Sequence, residues 1–205
     1  MFQQPETQLF EETVGKDVSY APRRKGLPPA ESRALVAQSL ADVGLDYETY
    51  RLRYIHALSG GQKRRVAMAG VLAAQPRVVI FDEPIAGLDP RGRVELARLI
   101  ADLTERRGLT VVLVGNAVDE LAELADRAIV LHAGRVAMEG PLRALLRRAD
   151  ELRAMGLELS ELAEIALALR PLFPDLPTDL LQVEELEDAL VRRIKIPGFR
   201  SQNVR

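Results

Sequence analysis

A serine followed by two glycines and a glutamine constrains this chain more than any other stretch. Ser59-Gly60-Gly61-Gln62 has the Ser-x-x-Gln spacing of a capping box, so a helix is expected to start here. Glycines at the first turn leave the backbone amides bare. That positive helix end, followed by Lys63, Arg64 and Arg65, suits a phosphate group. Next comes the short β-branched run Arg77-Val78-Val79-Ile80-Phe81, which reads as a buried parallel strand. It delivers two carboxylates, Asp82 and Glu83, to the strand's carboxyl end, where open α/β sheets place their ligands. A phosphate-binding helix beside paired acids implies nucleoside-triphosphate chemistry.

Composition narrows the alternatives. The 205 residues are enough for one large domain, or one domain with an appendage. At 47% hydrophobic and 28% charged, the chain can bury a core. A net charge of −2 gives no electrostatic case for bulk nucleic-acid binding. The absence of cysteine excludes disulfides and thiolate metal sites, and His56 and His132 are too few for a histidine-rich one. No apolar run approaches the ~18 residues of a membrane span, and no signal-peptide pattern opens the chain. The expectation is a soluble chain that meets a membrane only through a partner.

Taken in order, Pro28 and Pro29 open an amphipathic helix from Ala30 to Val43, with Leu35, Val36, Ser39, Leu40 and Val43 on one face and Gly44 just past its end. The Lys63-Arg64-Arg65 cluster reads as a solvated helix face. Asp89 caps a further helix with Pro90 at its first position, running through Leu96, Leu99, Ile100 and Leu103 to Gly108. A second buried strand is expected from Thr110 to Val114, a helix from Asp119 to Ala125, and a strand from Ala128 to Leu131. His132-Ala133-Gly134 turns that strand into Arg135 to Met138 as a hairpin, with His132 at the surface. The fold class is α/β, with a mostly parallel sheet and helices on both faces. From Pro141 the pattern becomes helical, with breaks at Gly156, Pro171, Pro174 and Pro177, a last helix from Glu184 to Ile194 and a polar tail from Pro197.

A Ser-Gly-Gly alone is usually a loop, and Asp-Glu after a strand is often a turn. The ordered set is far more specific. Leu58-Ser59-Gly60-Gly61-Gln62, then Asp82-Glu83-Pro84, then Gly87-Leu88-Asp89-Pro90 resembles the nucleotide-binding subunit of ABC transporters. Phe2-Gln3-Gln4-Pro5 resembles the Q-loop of the same family. Thr13-Val14, Asp17-Val18, Tyr20-Ala21-Pro22 and Gly26-Leu27-Pro28, with the helical tail, are similar to the ATPases of energy-coupling factor (ECF) transporters, which import vitamins or cobalt and nickel ions.

The resemblance implies an incomplete P-loop NTPase domain of ABC ATPase type over residues 1–140, a helical extension over 141–196 that helps hold an ATPase pair together, and a tail over 197–205. It implies ATP and Mg²⁺ as cofactors. Nucleotide contacts fall to Ser59, Gly60, Gly61, Gln62 and Asp89, and metal contacts to Asp82 and Gln3. Catalysis falls to Glu83, which polarises the attacking water, to Gln3, and to Asn116 at the switch-histidine position. The implied partners are a second ABC ATPase subunit, in a homo- or heterodimer, and a transmembrane ECF-type coupling subunit, with no nucleic acid and no direct membrane insertion. The implied location is cytoplasmic, peripheral on the inner face of the cell membrane.

Three departures from the family pattern matter. Ile85 stands where a threonine is usual. Gly115-Asn116-Ala117 stands where a Ser/Thr-His-Asp switch is usual, and an asparagine donates a hydrogen bond but carries no proton or charge near neutral pH. Loss of a positioned acid–base group costs roughly 10²–10⁴-fold in rate. No Gly-x-x-x-x-Gly-Lys-Ser/Thr occurs anywhere, so the sequence reads as starting in mid-domain, and the chain alone is expected to hydrolyse ATP at or near background. Two alternatives stay open: a pseudo-ATPase or relic that lends its LSGGQ to a partner's site, and a soluble ABC ATPase without a transport role.

Overall fold

The structure is a computed structural model that describes residues 5–116, 118 and 124–194. Gln3, most of the helix expected at Asp119 to Ala125, and the tail from Pro197 lie outside the described residues. The chain forms two compact units, Met1–Gly115 and Asn116–Arg205.

The first unit is built on a helical cluster. Short helices α1 (Val14–Val18) and α2 (Tyr20–Arg24) precede α3 (Pro29–Asp42) and α4 (Tyr47–Tyr50), and α5 (Gly60–Ala73) packs against α1, α2 and α3. Val14, Val18, Leu40, Val66, Ala69 and Leu72 are each no more than 1% exposed. Full burial of a Val or Leu contributes about 1.5–3 kcal/mol per side chain, so this cluster is the unit's main source of stability. The expected helix after Pro28 forms with Pro29 at its first turn, buries Val36, Ser39, Leu40 and Val43, and ends at Gly44, whose φ of 72° is the left-handed conformation that glycine adopts freely.

One close approach fixes the entry to this cluster. The amides of Val14 and Gly15 donate to the carbonyls of Arg53 and Arg51, and a Cβ on Gly15 would sit 2.8 Å from the Arg51 oxygen. The nearly buried Asp17 carboxylate accepts from the amides of Phe10 and Glu11, both at 3.0 Å, and so pins the preceding segment. The Val14 and Gly15 contacts anchor the stretch around Tyr50 that the site below uses.

Strand β1 (Val78–Asp82) pairs in parallel with β2 (Thr110–Val114), and α6 (Pro90–Arg107) lies between them in sequence and packs against β2. Asp89 caps α6 by accepting from the Gly92 amide at 2.7 Å, and Gly108 closes it at φ 60°. The expectation of buried strands needs correcting. Val79 and Phe81 are 3% and 2% exposed, but Val78 and Ile80 are each 52% exposed, and Val112 and Val114 share that open face. A run of β-branched residues fixes the strand but not whether a layer covers its second face. Among the described residues none does so fully.

The second unit begins its described part with a hairpin. Strands β3 (Arg127–His132) and β4 (Arg135–Pro141) pair antiparallel around the tight turn at Ala133 and Gly134, both at positive φ, with His132 exposed. Met138 anchors the hairpin in a core with Leu142, Leu145, Leu146 and Leu152. Those residues come from β4, α7 (Leu142–Leu146) and α8 (Ala149–Ala154). Helices α9 (Glu161–Leu169) and α10 (Val183–Arg193) enclose a second core of Ala166, Leu176, Leu180 and Leu186. Arg143 joins the halves, gripping Glu185 through both guanidinium nitrogens at 3.1 and 2.7 Å and the Asp179 carbonyl at 3.0 Å.

Candidate nucleotide site

The capping box forms as the spacing predicts. Ser59 Oγ accepts from the Gln62 amide at 3.3 Å, and Gln62 Oε1 accepts from the Ser59 amide at 3.0 Å. Both side chains are thereby turned onto the backbone at the helix start. The amides of Gly60 and Gly61 are left facing outward, as first-turn amides of a helix are. A Cβ at either glycine would meet nothing within 4 Å, so an anion has open approach to them.

Gln62 has a second contact that sequence reasoning missed. Its Nε2 donates to the Tyr50 hydroxyl at 3.2 Å, and Arg53 lies over the Tyr50 ring at 4.6 Å. The signal available was only a tyrosine twelve positions upstream, which no helical or strand period marks.

The acids stand at the carboxyl end of β1, as expected. Asp82 is exposed and Glu83 half-buried. Glu83 adopts φ 44°, a left-handed conformation that non-glycine residues avoid at a cost of about 1–2 kcal/mol. Its amide donates to the Val114 carbonyl at 2.8 Å, and its carbonyl accepts from the Ala86 amide at 3.2 Å. Strain of this kind persists only where surrounding contacts over-determine it, and it clusters at functional sites. Ile85, in place of the usual threonine, is 4% exposed, so its side chain serves the core.

The basic cluster requires a second correction. Two of its three members, Arg64 and Arg65, are drawn onto protein acceptors. Arg64 Nη1 donates to the Pro84 carbonyl at 2.8 Å and Nη2 to the Ala86 carbonyl at 3.4 Å. Arg65 Nη1 donates to the Val43 carbonyl at 3.0 Å, and its Nη2 pairs with Glu95 at 2.8 Å. Backbone carbonyls at the end of α3 and after β1 claim these guanidinium groups, a demand that no charge count reveals. Within the first unit the structure therefore ties Ser59, Gly60, Gly61 and Gln62 to the turn that carries Glu83. Asp89 Oδ1 caps its own helix, and the residue is exposed. Asn116 follows β2 in sequence, is exposed, and belongs to the second unit; Gln3 lies outside the described residues.

Of the expected metal donors, Asp82 alone is among the described residues. Among the described residues no group of three or more His, Cys, Asp or Glu side chains gathers to cage a metal ion. Magnesium needs no such cage, because it is held through one or two carboxylates together with phosphates and water, and Asp82 offers an exposed carboxylate at the end of β1.

A parallel strand leading into Asp82-Glu83 and a capped Ser-Gly-Gly-Gln helix match the pattern by which the sequence resembles ATP-binding cassette ATPases, and its relatives place the chain in that class. The ABC transporter family profile matches residues 1–86. The chain is 42% identical over 200 residues to the energy-coupling factor transporter ATP-binding protein EcfA2 of Clostridioides difficile, covering 97% of this chain and 69% of that one. It is 46% identical over 190 residues to the EcfA2 protein of Symbiobacterium thermophilum, covering 93% and 65%. The solved structure of cbiO1 from Clostridium perfringens, described as part of the ABC transporter complex cbiONQ, superposes with a TM-score of 0.66 at 30% identity, over 94% of this chain and 66% of that one. The chain belongs to the ABC transporter ATPases, and the relatives named here are ATP-binding proteins of energy-coupling factor transporters. It spans about two thirds of the length of those relatives. Among the described residues no helix is long and apolar enough to cross a membrane.

Proposed function

We propose that this chain is the energy-coupling, ATP-handling part of an ECF-type importer. It acts in a pair with a second ABC ATPase subunit, peripheral to the inner face of the membrane, against a transmembrane coupling subunit. The observation that carries the reading is the single hydrogen-bonded corner in which the Ser59–Gln62 helix start and the strained Glu83 turn are held by the same helix. On this reading Asp82, with Gln3 from outside the described residues, would hold the metal through oxygen and Glu83 would polarise the attacking water, while the Gly60 and Gly61 amides would meet a phosphate oxygen of a nucleotide on the partner subunit. Magnesium, when bound, neutralises charge on the phosphate oxygens. Asp89 orders the loop that reaches toward the second subunit, and the helical segment over 141–196 stabilises the pair.

Asn116 favours a second reading within the same family. With no proton to give or take at the switch position, the chain serves better as a lender of its helix start than as a hydrolytic site of its own. Since no P-loop occurs in these 205 residues, the triphosphate cradle comes from residues outside them. The test of catalysis is phosphate release from MgATP by this chain assembled with an ABC ATPase subunit that carries a P-loop. Glu83→Gln abolishing the turnover assigns Glu83 to hydrolysis, and full turnover with that variant leaves only the lending role.

A further inference from the structure

We propose that Arg64 is the positioning residue for Glu83, so that the helix presenting the phosphate-facing amides also sets the orientation of the acid. The inference rests on the reading of Glu83 given above and adds the device that holds it. Three sets of contacts fix the turn. The Glu83 amide donates to Val114 in β2 at 2.8 Å, and the Ala86 amide closes the turn onto Glu83 at 3.2 Å. The Arg64 fork then takes the Pro84 and Ala86 carbonyls at 2.8 and 3.4 Å. The first two are backbone contacts that hold the turn together. The first also ties the turn to β2, and the third ties it to α5 through a side chain.

A left-handed residue such as Glu83 needs such over-determination, and a planar fork with parallel donors supplies it where a lysine ammonium offers a point charge. Helix α5 is itself braced. Arg65, the next residue, takes the Val43 carbonyl at the end of α3 and Glu95 in α6. Any shift of α5 when its amino terminus meets a phosphate is therefore passed to the Glu83 turn through Arg64, with Arg65 limiting other movement. Arg64 does not touch nucleotide in this account; it acts through Glu83.

The test is site-resolved amide exchange on the full chain as wild type, Arg64→Ala and Arg64→Lys, together with turnover in the assembled pair. Arg64→Ala is expected to speed exchange at Glu83, Ala86 and Leu88 by about tenfold, the scale of one hydrogen bond to a charged donor. Amides within α5 and within β1 are expected to change by less than about threefold, and Arg64→Lys to fall between the two. In the assembled pair, Arg64→Ala is expected to lower kcat for MgATP with KM unchanged. Unchanged exchange at those three amides, or equal acceleration throughout α5 and β1, overturns the inference. Unchanged kcat in a pair whose turnover Glu83→Gln abolishes also overturns it, with the function intact. If Glu83→Gln has no effect on turnover, it is the proposed role of Glu83 that fails, and exchange alone then decides whether Arg64 holds the turn.

Discussion

The helical cluster around α5 and the parallel strand pair belong to one unit, yet they are finished to different degrees. In the cluster, residues from α1, α3 and α5 meet on closed faces with almost no exposure, and even its buried carboxylate, Asp17, has two backbone donors. In the strand pair, one face buries Val79 and Phe81 but leaves Val111 and Leu113 half-buried, while the other leaves Val78, Ile80, Val112 and Val114 open. The difference teaches where the unit is self-sufficient. The part that shapes the helix start at Ser59 carries its own support, and the sheet that carries the acids takes its support from one side and from Arg64.

Neighbours on β1 give the largest test of that contrast. Phe81→Ala should cost about 3–5 kcal/mol by chemical denaturation, as deletion of a buried aromatic does. Ile80→Ala, one residue away on the open face, should cost about 0.5 kcal/mol. If Ile80→Ala becomes as costly as Phe81→Ala once a partner subunit is added, the open face is an assembly surface and the contrast belongs to the isolated chain alone.

Next in size is a comparison of glycines. Gly15→Ala forces its new methyl against the Arg51 carbonyl and should destabilise by about 1–3 kcal/mol, as overpacking does. Gly61→Ala meets open space in a helix and should stabilise by about 0.5 kcal/mol in thermal melts. Equal effects at the two positions would mean that the close approach of α1 to the Arg51 carbonyl does not hold in solution.

The sequence carried the parts of this corner that depend on near neighbours. Ser59 with Gln62, Asp89 with Pro90, and Gly44 and Gly108 past helix ends each write a local hydrogen bond or backbone preference into adjacent letters, and each forms where expected. Arg64 was misread because its carbonyl partners lie 20 and 22 positions away, at a distance where no periodicity registers. The open face of β1 was misread for a related reason. Alternation within a strand reports the residues it offers, and nothing in it reports which layers arrive to cover them. The strained backbone of Glu83 left no trace at all, since glutamate is not a residue that signals positive φ.

The smallest expected effect lies in the second unit. The Arg143 guanidinium, together with the Leu181 amide, holds the Glu185 carboxyl below its ordinary value of 4.5. A lowered folded value means the contribution is complete above 4.5 and is lost as pH falls through the folded value. Both groups are partly exposed, so solvent screening limits the contribution to about 0.5 kcal/mol. Arg143→Ala should reduce the slope of stability against pH below 4.5 in acid denaturation by that small amount, and leave the slope above it unchanged.

The most direct test of the central claim concerns the helix start at Ser59. This chain is assembled with an ABC ATPase subunit that carries a P-loop, and phosphate release is measured at saturating MgATP for wild type and Ser59→Arg, with the pair followed by ultracentrifugation. Arginine there removes the cap and fills the open approach to the Gly60 and Gly61 amides. The account predicts that turnover falls by about tenfold or more while the pair still forms, the scale of losing charge-assisted amide contacts. Turnover equal to wild type in a fully formed pair would contradict it, because the capped Ser-Gly-Gly-Gln helix would then have no part in handling the nucleotide.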